Sequence, residues 1–168
     1  MKKAEAALEW AVEKMEERDL SFEIKTPDKP VLVEGDWEKL TQVVHNLIEN
    51  AHNYTLPGGK VEVLTKSENG HAQVEVVDTG VGISKEDQPF LFTRFFRAIH
   101  EESTFEISGA GLGLYMSKAF VEAHPGGKMG MESKLHQGSK FYFALPALKA
   151  DIESPNQTEP VEFVNSQH

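Results

Sequence analysis

The sequence predicts an α+β fold, a two-layer α/β sandwich in which a mixed, mostly antiparallel sheet is covered on one face by about three helices. Three observations lead there. Helical and strand patterns are interleaved, but without the regular βαβ alternation of a doubly wound parallel sheet. Several strand candidates follow one another across short turns, which makes neighbours antiparallel. At 168 residues the chain is long enough to bury a sizeable core in one compact domain.

Taken in order, residues 2–18 are rich in strong helix formers, with Leu8, Val12 and Met15 at helical spacing. Short strands are expected at 22–25 and 31–33, separated by a Pro-Asp-Lys-Pro turn. Asp36 is placed to cap a helix over 37–53. Pro57, Gly58 and Gly59 break the chain, and strands at 60–66 and 72–78 follow, joined by a turn at Glu68-Asn69-Gly70. Between 84 and 109 the pattern is irregular. A helix is expected over 111–124 and strands at 128–133 and 140–145, ending at Pro146. The polar stretch 149–168, with Pro155 and Pro160, reads as a disordered tail. No internal repeat is visible.

Composition narrows the function. The chain is 39% hydrophobic and 26% charged, the balance of a globular protein. It has no apolar run near the ~18 residues of a membrane helix and no secretory signal pattern at its start. Cysteine is absent, which excludes thiol and disulfide chemistry. A net charge of −10 argues against nucleic acid as a partner. It leaves an anionic small ligand open, because local donors, helix termini and bound cations set the field in a small site.

Four constellations carry chemistry. On the helix 37–53, Trp37, Leu40, Val44, Leu47, Ile48 and Ala51 gather on one side, while Asn46, Glu49, Asn50 and Asn53 gather on the other. Asparagine is a poor helix former, so this stripe is costly as a merely solvated face, though surface amides remain the simpler reading of it alone. An amide oxygen is a hard neutral ligand suited to Mg²⁺ beside phosphate. The second is Asp78-Thr79-Gly80-Val81-Gly82-Ile83 at a strand end. It is either an ordinary turn or a place where a flat ligand lies on backbone and a carboxylate selects a donor. In the third, Gly109, Gly111 and Gly113 open a helix, as a hinge or as a cradle of N–H groups for phosphates. This is neither a Walker A loop nor a dinucleotide fingerprint. The fourth, 89–97, packs four phenylalanines around Arg94 and Arg97. Most of those rings should bury, leaving the arginines for solvent or phosphate.

Each piece is weak alone, but their order and spacing together resemble the histidine-kinase branch of the gyrase, heat-shock-chaperone, histidine-kinase and mismatch-repair ATPase superfamily. Asn46-Leu47-Ile48-Glu49-Asn50-Ala51 with Tyr54-Thr55 is similar to the N box, and Asp78 to Ile83 to the G1 box. Leu91 to Arg97 is similar to the F box, Gly109-Ala110-Gly111-Leu112-Gly113-Leu114 to the G2 box, and Gly138-Ser139-Lys140-Phe141 to the closing strand. The likeness covers 31–146. It implies a sensor histidine kinase catalytic domain that binds ATP and Mg²⁺. Asn50 would hold the metal, Asn46 would lie beside the phosphates, and Asn53 and Tyr54 would line the pocket. Asp78 would bond the adenine amino group, with Gly80, Gly82 and Ile83 around the ring and Ser139 supporting it through water. Gly109, Gly111, Leu112, Gly113 and Leu114 would meet the phosphates, one of Arg94 or Arg97 would approach the γ-phosphate, and 84–109 would form a mobile ATP lid. The candidate catalytic residues are then Asn46, Arg94 and Arg97.

The chain departs from the pattern at Asn53, where Lys or Arg is usual, at Pro125 inside His124-Pro125-Gly126-Gly127, and at Thr93. None of its seven histidines stands in the acceptor motif of a histidine kinase. The resemblance therefore implies a piece of a longer sensor: 1–20 as the end of a dimerisation-hairpin helix or linker, 21–148 as the catalytic domain, 149–168 as tail. The expected partners are that phosphotransfer hairpin and, through it, a response regulator. The parent would be a membrane-anchored homodimer, and this chain a monomer on the cytoplasmic side of an inner membrane. A hydrolase of the gyrase type would need a Glu where Asn46 stands. A nucleotide-sensing switch, an anti-sigma-type serine kinase or a degenerate pseudokinase is the alternative function.

Overall fold

The computed structural model describes residues 2–98 and 110–148, and the side chains from residue 9 onward within them. Eight regular elements appear: α1 (Lys2–Glu16), β1 (Ser21–Lys25), α2 (Trp37–Tyr54), β2 (Lys60–Glu68), β3 (His71–Asp78), α3 (Gly113–Glu122), β4 (Lys128–Lys134) and β5 (Gly138–Pro146). A single 3₁₀ turn covers Gln88–Phe90. The five strands form one sheet in the order β1-β2-β3-β5-β4. Only β1 and β2 run parallel, with α2 as their crossover; the other pairs are antiparallel. This is the expected α+β sandwich.

Local chemistry explains the elements. The Asp36 carboxylate accepts from the Lys39 N–H at 3.1 Å and starts α2. Asn69 and Gly70 both have positive φ, the geometry that closes a two-residue hairpin between Glu68 and His71. Gly111, at φ +69°, cannot join a helix, so α3 starts two residues later than expected, at Gly113.

Alternation along the strands decides what each face carries. Val61, Val63, Val76, Phe141, Phe143 and Leu145 point into the helix-covered core, where they meet Leu40, Val43, Leu47, Ile48 and Ala51 of α2. Asp78 and Ser139 lie opposite each other in register on that same buried face. The outer face holds ion pairs, including Lys66 to Glu75 at 2.8 Å and Lys140 to Glu132 at 2.9 Å.

Several expectations change. Residues 31–33 do not form a strand; Val33 makes one isolated bridge to Ala147. The segment is too short between Pro30 and the Asp36 cap, and the place beside β2 is already taken by β1. Val43, which was not named among the apolar residues of the helix, is fully buried, while Val44 is only partly buried. Ala11 and Met15 of α1, both fully buried, enter the same core cluster as α2 and the sheet. Residues 149–168 lie outside the described residues.

Candidate functional site

A cavity of about 350 Å³ opens above the end of the sheet, between the polar side of α2, the loop after β3 and the glycine-rich start of α3. Its floor is the Asp78–Ser139 rung. Asp78 Oδ1 accepts from Gly80 N at 2.8 Å and Ser139 N at 3.3 Å. Among the described residues Oδ2 makes no hydrogen bond, so it remains the acceptor facing the cavity. Burial pushes this carboxyl up to about 6, against the opposing pull of the two N–H donors.

The backbone around Asp78 is shaped by glycine. Gly82 has φ +68°, and a Cβ there would stand 2.0 Å from the Lys134 carbonyl oxygen. A Cβ on Gly80 would meet Tyr54 O at 2.3 Å and Asp78 Oδ1 at 2.7 Å. Gly80 does not line the cavity; it holds the aspartate. Gly82 and Ile83 do line it, and Ile83 N donates to Ser133 Oγ at 2.9 Å. Ser133 Oγ and the buried Ser139 Oγ are also 2.9 Å apart, so Ser139 belongs to a short hydroxyl chain at the floor of the cavity.

The wall is the α2 stripe of Asn46, Glu49, Asn50, Asn53 and Tyr54. Asn46 Nδ2 donates to Ser117 Oγ at 3.1 Å and to Gly113 O at 3.4 Å. These bonds tie α2 to the start of α3 and leave the Asn46 oxygen for the cavity. Gly111, Leu112, Gly113 and Leu114 close the opposite side. Gly109 lies outside the described residues.

The two candidate arginines separate. Arg97 lines the cavity and hydrogen-bonds the Tyr54 hydroxyl. Burial raises the tyrosine pKa, and this arginine opposes the rise. Arg94 does not line the cavity. Its guanidinium lies over the Tyr115 ring, 4.7 Å from the centroid, and Nη2 donates to the Tyr115 hydroxyl at 2.7 Å. Only part of the phenylalanine cluster packs: Phe92 and Phe96 join the core edge, while Phe90 is 53% and Phe95 70% exposed.

Leu91, Phe96, Ala98, Ala110 and Phe141 line the cavity without having been expected there, and so does Glu49. Two had a visible signal. Phe141 is two residues beyond Ser139 on the same strand face, and Glu49 was already on the polar stripe. Of the charged groups on the cavity wall, Glu49 and Asp78 are acidic and Arg97 is basic.

Chemically, the deep end offers a carboxylate acceptor under a flat apolar slot. The outer end offers amide oxygens, backbone N–H groups and one guanidinium. Such a cavity can receive a planar ring with an amino donor attached to an anionic chain. Residues 35–149 match the family model described as histidine kinase-, DNA gyrase B- and HSP90-like ATPase. The chain belongs to this ATPase family. Within it the domain is of the histidine-kinase type, an ATP-binding catalytic domain. It is 36% identical over 136 residues to the sensor histidine kinase WalK of Bacillus subtilis, covering 80% of this chain and 22% of WalK. It superposes on the mycobacterial sensor histidine kinase MprB with a TM-score of 0.71 at 29% identity, covering 86% of this chain and 95% of that one. The full-length ShkA structure in complex with AMPPNP gives a TM-score of 0.71 at 26% identity, covering 88% of this chain and 30% of that one. The histidine-kinase domain described here thus spans well under half the length of the curated relatives it matches. No described helix is long and apolar enough to cross a membrane.

Proposed function

We propose that this domain binds Mg-ATP and transfers the γ-phosphate to a histidine presented by a dimerisation hairpin, from which a response regulator is then phosphorylated. Asp78 takes the adenine amino group, with Gly82 and Ile83 against the ring. The donor set at the outer end suits Mg²⁺: Asn50 supplies a hard neutral oxygen, as a cation shared with phosphate oxygens requires. Bound there, the cation would neutralise phosphate charge during transfer. Asn46 and Arg97 orient the phosphate chain, Arg97 leaving Tyr54 for a γ-oxygen.

The observation that carries the reading is Asn46. It occupies the position from which a hydrolase of this superfamily would activate water, and an amide cannot accept that proton. An imidazole acceptor needs no such base, because neutral histidine is already nucleophilic. None of the chain's own histidines stands in an acceptor motif, so the hairpin is supplied by another segment of a parent sensor. That parent is read as a membrane-anchored homodimer with this domain on the cytoplasmic side, and the isolated domain as a monomer.

The test is γ-labelled ATP incubated with this chain, with and without the hairpin. Acid-labile label on the hairpin alone is the expected result. Label on this chain by itself, rapid phosphate release, or ATP binding without transfer to the hairpin would each overturn the proposal.

A further inference from the structure

We infer that Glu49 makes nucleotide binding at this site dependent on a divalent cation, which deepens the ATP reading above and rests on it. Glu49 is exposed, lines the cavity, and sits on α2 between Asn46, three residues before, and Asn53, four after. Among the described residues it forms no ion pair or hydrogen bond. Among the described lining residues the single positive charge, Arg97, is outnumbered by the carboxylates of Glu49 and Asp78. Asn53 adds no charge. The last turn of α2, which carries Asn53 and Tyr54, presents the negative end of the helix dipole. Arg18 Nη1 offsets that dipole by donating to the His52 and Asn53 carbonyls.

A polyphosphate entering here therefore meets one guanidinium, a carboxylate and neutral amides rather than a basic wall. Two anions at such range repel, and a divalent cation between them converts the repulsion into attraction. Asn50 offers that cation a neutral oxygen and Glu49 an anionic one. In this chain the metal, beside Arg97, supplies the charge that a lysine or arginine at position 53 would otherwise add.

The experiment measures affinity by equilibrium dialysis on the whole chain for ATP with Mg²⁺, ATP with EDTA, and adenosine. Wild type is expected to bind Mg-ATP at least about tenfold more tightly than metal-free ATP. Glu49→Gln should tighten metal-free ATP by roughly threefold to tenfold, through loss of one repelling charge in a solvated cleft. It should leave Mg-ATP no tighter, so the metal dependence shrinks. Glu49→Asp keeps the charge and should keep the dependence. Adenosine should bind all three proteins alike, which a merely structural role for Glu49 would not predict. An unchanged metal ratio in Glu49→Gln, or weaker binding of every ligand including adenosine, overturns the inference alone. Wild type that binds adenosine but no ATP under either condition overturns both it and the ATP reading.

Discussion

The substitution Asp78→Asn removes one charge and leaves side-chain size almost untouched. The asparagine Oδ1 can keep both bonds that Asp78 Oδ1 accepts, from Gly80 N and Ser139 N. What changes is the ionised carboxylate in a buried place. Its pKa stands at about 6 rather than 3.8, so the folded state holds the proton more tightly than the unfolded state does. Below 3.8 both states are protonated and the group is neutral toward stability. As pH rises through about 6 the folded protein must ionise a buried group, and stability is lost. A shift of roughly two units corresponds to about 3 kcal/mol at pH 8, and about half of that at pH 5.

Asp78→Asn should therefore be more stable than wild type by about 3 kcal/mol at pH 8, with the gap narrowing to about 1.5 at pH 5. Binding moves the other way. The asparagine turns its amide NH₂ toward the cavity, donor against the adenine donor, at a loss of about 1.5–3 kcal/mol, or roughly 10- to 150-fold in affinity. Denaturant unfolding at the two pH values, beside calorimetric titration with ATP, measures both. Wild-type ATP affinity should also fall as pH drops through about 6, because protonation spends the acceptor. An asparagine variant no more stable than wild type at pH 8, or a gap that does not change with pH, would refute the reasoning.

Two glycines of the site should behave oppositely. Gly82→Ala forces a Cβ to within 2.0 Å of the Lys134 carbonyl oxygen at φ +68°, and should destabilise the fold by about 2–4 kcal/mol in the same unfolding assay. Gly113→Ala meets nothing nearer than Asn46 Cγ at 3.9 Å, so its melting temperature should hold or rise while the methyl obstructs phosphate and ATP affinity falls. Arg97→Ala should weaken ATP about tenfold by titration, whereas Arg94→Ala, whose partner is Tyr115, should leave nucleotide affinity unchanged.

Much of this was legible because periodicity and turn chemistry are local. The asparagine stripe stood out against the apolar face of α2, and Asn69-Gly70 announced its hairpin. The strand that ends at Asp78, followed by two glycines, put the aspartate at the mouth of a turn. The misplacements are tertiary. Whether 31–33 pairs depends on β1 having taken the edge beside β2, which no local pattern encodes. Val43 is a different kind of miss, since it stands three residues after Leu40 and four before Leu47 and so already lies on the apolar side of α2. Arg94 and Arg97 are three residues apart in one motif, and only the position of the Tyr115 ring draws one away from the cavity. Gly80 looked like part of the ligand floor. Its role follows from a backbone N–H aimed at Asp78 Oδ1, which sequence does not display.

Asn46 shows how the framework itself narrows the chemistry. Its Nδ2 donates to Gly113 O and Ser117 Oγ, so the amide is a structural bond between α2 and α3 as well as a cavity group. A glutamate there would supply the water-activating base of a hydrolase but no donor. One carboxylate oxygen would then face the Gly113 carbonyl, acceptor against acceptor, at the glycine turn that opens α3. Accepting from Ser117 could satisfy the hydroxyl, since it can donate, and the Gly113 carbonyl would keep its helical partner in α3 but face a second acceptor. The α3 start would have to shift, moving Gly111, Leu112 and Gly113 together, before a hydrolytic base could be accommodated. The scaffold is thus built around an amide at this position. On the proposed function, an amide at this position is favoured by the packing of two helices as well as by its inability to act as a base.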